Sequence, residues 1–178
     1  MELTEKTLER SIIYEGKVFT AAKDSVELQD GSRAFRELVL HRGGAGVLPV
    51  SDDGTVTLVR QYRAGAARPL TEICAGKLEE GEDPRDCAAR ELSEELGFEA
   101  DEMIPLGFFF PTPAYDSERT YLFLARGLHN VGAHPDKGEF IERVSLPFGT
   151  ALKMAANGEL TDGKTVIALY RAESYGKA

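Results

Sequence analysis

Three glutamates, Glu91, Glu94 and Glu95, stand in a stretch whose apolar neighbours recur with helical period. On a helix, Glu91 and Glu95 are four apart and share a face, and Glu94 lies three from Glu91. Like charges at those spacings repel. Arg90 is placed to pair with Glu94, but it supplies one positive charge against three negative ones. A divalent cation would balance them. An oxygen-rich donor set with water completing the shell suits Mg²⁺, with Mn²⁺ as the alternative, rather than zinc. The loop from Gly76 to Gly81, just ahead of this stretch, can bring backbone oxygens close to the same ion. A bare Glu-x-x-Glu-Glu read alone is more often a solvated acidic helix face; the spacing of the residues around it decides between the two.

These residues need a helix with defined ends and a sheet to hold it. Asp83 is a good N-cap and Pro84 fits the first helical position. Ala88, Leu92 and Leu96 recur at four-residue spacing, and Gly97 fits the position just past the end. Upstream, residues 11–41 read as strands with a hairpin turn at Asp30-Gly31, and Gly43 to Gly46 break the pattern. Val47 to Val50 and Val56 to Tyr62 read as strands around the turn 51–54, and Leu70 to Cys74 as a short one. Downstream, strands are expected around residues 103–110, 120–125 and 140–145, then helices at 147–157, closed by Gly158, and at about 164–172. Interleaved helices and strands predict an α/β fold with a mixed sheet covered by helices.

The full spacing of the acidic stretch resembles the Nudix box, Gly-x5-Glu-x7-Arg-Glu-U-x-Glu-Glu-x-Gly-U with U apolar. Gly76, Glu82, Arg90, Glu91, Leu92, Glu94, Glu95, Gly97 and Phe98 fill every defined position. The resemblance implies the Nudix fold, an α/β/α sandwich around a mixed sheet. It implies Glu91 and Glu95 as main metal ligands, with Glu94 assisting and the carbonyl of Ala75 contributing. Glu82 and Arg90 would brace the loop against the helix. The family hydrolyses nucleoside diphosphates linked to another moiety, chemistry in which a divalent cation neutralises phosphate charge and water attacks phosphorus in line.

Residues outside the box resemble the ADP-ribose pyrophosphatases and related nucleotide-sugar hydrolases. Leu58 to Arg63 resembles their strand before the box, residues 71–78 continue the likeness, and residues 157–169 resemble their tail. Pro113 stands fifteen residues past the box, where a proline marks the ADP-ribose subfamily, although Ala114 replaces the glycine that usually follows it. The resemblance implies that Arg63 contacts the diphosphate or terminal ribose; otherwise it is a surface ion pair at a strand end. Arg36 and Glu37 resemble a pair that helps hold the nucleoside across a dimer; otherwise they are a cross-strand ion pair. His41 and His134 have no metal-like spacing. The implied reaction is ADP-ribose to AMP and ribose 5-phosphate, with a nucleotide sugar such as GDP-mannose as the alternative. The chain divides in this reading into an N-terminal antiparallel strand extension, residues 1–42, expected to pair two subunits into a homodimer, and a hydrolase domain, residues 43–178.

The general base must come from outside the occupied glutamates. The stretch from His134 to Glu142 resembles the family's acidic loop, where Glu139 matches one acid and Lys137 replaces the other. Glu139 is the first candidate, with Asp136 and Glu118 as alternatives. The formal net charge of −9 argues against a nucleic-acid partner. No apolar run of about 18 residues suggests a membrane helix. The polar N-terminus lacks a secretory layout, and Cys74 and Cys87 read as reduced buried thiols, so a cytoplasmic protein is expected. A non-catalytic nucleotide sensor would show broken glutamates or an attached DNA-binding domain; neither appears. A triphosphate sanitiser fits less well with Pro113 and the long strand region.

Overall fold

The computed structural model describes residues 3–135, 138 and 140–175. Two compact units emerge, one of residues 1–43 with 110–119, the other of residues 44–109 with 120–178.

The first unit is an antiparallel sheet in the order β1 (Lys6–Glu15), β2 (Thr20–Glu27), β3 (Arg33–Leu40). β2 buries alternate residues, Ala22, Asp24 and Val26, as a half-buried strand should. The buried Asp24 accepts a two-pronged ion pair from Arg10, at 2.8 and 2.7 Å. That pairing pulls the Asp24 carboxyl below its usual range. β1 is exposed at all ten positions. It begins at Lys6, ahead of the expected start at Ser11, because two register shifts interrupt its alternation and hide the strand period. Residues 110–119 join this sheet through Val39, whose N–H donates to Tyr115 O at 2.7 Å while its carbonyl accepts from Ser117 N at 2.9 Å.

The second unit holds a mixed four-stranded sheet in the order β7 (Cys74–Lys77), β4 (Gly44–Pro49), β9 (Thr120–Asn130), β8 (Phe98–Phe109). β4 and β9 run parallel and the other pairs antiparallel. A second, antiparallel sheet has the order β10 (Glu142–Pro147), β5 (Thr55–Arg63), β6 (Arg68–Glu72). The helices are α1 (Pro84–Leu96), α2 (Phe148–Ala156) and α3 (Gly163–Tyr175).

Alternation along the central strands makes two cores. Leu48, Leu122 and Leu124 face a cluster containing Ala151, Ala168 and Leu169 of α2 and α3. Val47, Phe123 and Ala125 face the opposite cluster, with Cys87, Ala88 and Leu92 of α1. This is the expected sandwich, helices on both faces of a mixed sheet. The glycines at 44 and 46 do not break the chain as the sequence suggests; they lie in β4, paired on both sides. Gly46 is there for closeness: a Cβ added to it would lie 2.8 Å from the Ile73 side chain.

Candidate active site

Helix α1 carries Glu91, Glu94 and Glu95, and its ends are set locally. Asp83 caps the N-terminus by accepting from Arg85 N at 2.8 Å, with Pro84 as the first helical residue. Gly97 closes the other end in the left-handed conformation, φ 61°, donating to the carbonyls of Leu92 and Ser93. Gly97 also admits a second strand of chain: a Cβ there would overlap the backbone of Gly132 and Ala133. Val131 N donates to Gly97 O at 2.8 Å and His134 N to Glu94 O at 3.0 Å, tying the segment after β9 to the end of α1. Glu139, the first candidate for general base, lies outside the described residues, as do Asp136 and Lys137.

Arg90 gathers the acids. Its Nε donates to Glu82 Oε1 at 3.0 Å, and its Nη1 donates to both Glu91 Oε1 at 2.7 Å and Glu94 Oε2 at 2.9 Å. The hydrogen bonds it donates to these acids raise the Arg90 pKa, led by the one to Glu82. Arg90 in turn holds Glu82 below the usual carboxylate range. Glu82 also accepts from Glu79 N at 2.9 Å, so one side chain fixes both the loop and the arginine. Cys87 lies beneath, its Sγ within 3.6 Å of Lys77 O. Burial, with the charge of Glu82 beside it, pushes the Cys87 thiol up to about 12, so it stays protonated and acts as packing. Cys74 is buried, and that burial raises its thiol well above the usual range. Both cysteines are free thiols, as the sequence suggests.

The residues suit a divalent cation. Glu91, Glu94 and Glu95 crowd one stretch of α1, where Arg90 pairs with Glu91 and Glu94, and Gly76 forms a cradle in which the Glu91 carboxylate rests, space that a Cβ would fill. Among the described residues, no three acidic, histidine or cysteine side chains already converge as a metal cage. Arg90 draws Glu91 and Glu94 to itself, and Glu95 is 5% exposed. Ala75, in β7, pairs with Gly46 and precedes the cradle.

Arg63, at the end of β5, donates through Nε to Glu72 Oε1 at 2.6 Å. Burial works against its charge, but the Glu72 hydrogen bond and the nearby carboxylates of Glu72, Glu95 and Asp162 outweigh it, so its pKa rises. Arg63 is thus within electrostatic reach of Glu95. Glu72 is the residue that reading the sequence missed. The available signal was a charged residue in the apolar strand Leu70 to Cys74, since a buried carboxylate requires partners. The other expected substrate residues belong to the first unit. Arg36 pairs with Glu5 and lines a groove of about 460 Å³ with Thr4, Leu28, Gln29 and Asp30. Glu37 faces Lys23 across the β2–β3 register. Pro113 and Ala114 are exposed in a turn, and Glu118 N donates to Asp116 Oδ1 at 2.8 Å.

A NUDIX domain model matches residues 40–168, spanning α1 and its glutamates. The chain belongs to the Nudix family. It is similar, at 38% identity over 167 residues, to a methanol dehydrogenase activator of Bacillus methanolicus, covering 93% of this chain and 90% of that one. It is 37% identical over 169 residues to an ADP-ribose pyrophosphatase of Bacillus subtilis, covering 94% and 91%. A crystal structure of an ADP compounds hydrolase superposes with TM-score 0.85 at 23% identity, covering 99% of this chain and 97% of that one, which establishes a common fold. The Nudix box of this chain is therefore the helix and loop described above.

The Gly76 cradle generates a prediction. Gly76→Ala should displace the Glu91 carboxylate and weaken divalent-ion binding by about 10–100-fold, with little change in thermal midpoint, because the far end of a glutamate can swing aside. Titration with Mn²⁺ followed by electron paramagnetic resonance checks this; wild-type affinity in the variant would show that the cradle has no part in holding the ion.

Proposed function

We propose that this Nudix hydrolase cleaves ADP-ribose to AMP and ribose 5-phosphate with Mg²⁺. The observation that carries the reading is the set of box glutamates clasped by Arg90 against Gly76, with Arg63 nearby. The similarity to an ADP-ribose pyrophosphatase over nearly the whole chain supports the substrate. Glu91, Glu94 and Glu95, with the carbonyl of Ala75, would hold the ion. When bound there, Mg²⁺ supplies Lewis acidity and cancels diphosphate charge. Arg90 keeps Glu91 and Glu94 oriented. Arg63 offers guanidinium N–H groups to diphosphate oxygens. Glu139 is proposed to take the proton of the attacking water, with Asp136 and Glu118 as the alternatives. Water oxygen joins phosphorus, the bond from phosphorus to the bridging oxygen breaks, and the bridging oxygen leaves on the departing phosphate.

The proposed assembly is a cytoplasmic homodimer. Among the described residues, no helix is long and apolar enough to cross a membrane. β1 exposes Leu8, Ile12, Ile13 and Tyr14 along an outer strand, an apolar edge that a second copy would cover. In such a dimer Arg36 and Glu37, with the turn at Pro113 and Ala114, would serve the nucleoside.

Chromatography of the products with Mg²⁺ should show AMP and ribose 5-phosphate from ADP-ribose; inert ADP-ribose beside brisk GDP-mannose cleavage would reassign the substrate. Glu95→Gln should lower kcat at least about a hundredfold without unfolding the chain, since a ligand charge is lost while crowding on α1 is relieved. Near-normal rates at saturating Mg²⁺ would remove Glu95 from the ligand set. Light scattering at micromolar concentration should give the mass of a dimer, and a monomer would overturn the assembly.

A further inference from the structure

β6 ends in Glu72, whose side chain is 1% exposed. A carboxylate so deeply buried is tolerable only with its charge and both oxygens satisfied. Two cations divide it: Arg63 Nε donates to Oε1 at 2.6 Å, and Lys164 Nζ pairs with Oε2. Lys164, 19% exposed, also pairs with Asp162 Oδ1 at 2.7 Å. Two acids and two bases make the group neutral, which is why it can sit where water is scarce.

The group is anchored by the start of α3. Asp162 Oδ2 accepts from Thr165 N at 2.9 Å and from Thr165 Oγ1 at 2.6 Å. Thr165 Oγ1 in turn accepts from Ile73 N at 2.8 Å, a fully buried bond. Adjacent residues Lys164 and Thr165 therefore grip adjacent residues Glu72 and Ile73, which only Cys74 separates from Ala75 and Gly76.

The division of Glu72 matters for Arg63. A guanidinium beside a carboxylate usually engages it through two parallel N–H groups. Here Lys164 occupies the second oxygen, so Arg63 is held by Nε alone. Its Nη1 and Nη2 bond to no other described residue, and its side chain is 39% exposed. We propose that Glu72 and Lys164 are positioning residues for the reaction: by sharing one buried carboxylate they hold Arg63 at Nε and leave its two terminal nitrogens for the substrate's diphosphate. Without Lys164, Oε2 of Glu72 becomes available to Arg63, the guanidinium turns its fork inward, and the substrate loses a partner.

This inference rests on the reading of Arg63 as a diphosphate contact, and a double-mutant cycle on KM tests it. Lys164→Met should raise KM for ADP-ribose about tenfold with kcat within about threefold of wild type, and Lys164→Arg should restore KM. In an Arg63→Met background, itself raised in KM, Lys164→Met should change KM by less than about twofold. Glu72→Gln, which keeps the shape of the side chain, runs the same cycle where Lys164→Met does not fold. If wild type cleaves GDP-mannose instead, the cycle is read on that substrate, so an error in substrate identity shows in wild type alone. Equal KM effects in both backgrounds, or a lowered thermal midpoint with wild-type KM, would show a purely structural ion network and overturn the proposal.

Discussion

Charge crowding on one face of α1 is the constraint to which the surrounding structure answers. Glu91, Glu94 and Glu95 sit within two turns, where each repels the others. Arg90 relieves part of that repulsion, and it can do so only because Glu82 and the Cys87 sulfur hold its guanidinium in place. The loop after β7 is consequently shaped twice over, by Glu82 turning back onto Glu79 N and by a glycine that lets the Glu91 carboxylate lie against the backbone. The charge that Arg90 leaves unbalanced on the helix is what a divalent cation would cancel.

A different solution operates around Glu72. There the acid is buried and its charge is cancelled within the protein, by Arg63 on one oxygen and Lys164 on the other. The two arrangements divide the labour of electrostatics. The helix face carries an excess of negative charge, whereas the Glu72 group is neutral within itself and ties Arg63 to the end of β6.

Much of this was legible in the sequence where the determinants are local. Asp83, Pro84 and Gly97 mark the ends of α1 because caps act within a few residues, and the Arg90–Glu94 pair follows from helical spacing. Strand limits were less legible. β8 begins at Phe98 rather than near Met103, because its first half carries Glu99, Asp101 and Glu102, and pairing with β9 out to Asn130 holds it in place of apolar alternation. Gly46 reads as part of a break because nothing local announces that Ile73 needs its space. The partnership of Glu72 with Lys164 spans 92 positions of sequence and depends on the start of α3 meeting the end of β6, so neither residue type nor spacing could announce it.

The tether at the end of α1 has a bearing on how such a chain can change over time. Residues 131–134 are hung there by main-chain hydrogen bonds and by contact with a residue that has no side chain. Apart from Gly97, and Gly132 with its positive φ of 86°, the attachment is made by backbone groups that any residue supplies. The chain past residue 134 therefore departs from a point fixed beside the glutamates by backbone bonds rather than by side chains. Changes of sequence past residue 134 are thereby separated from the helix that carries the glutamates.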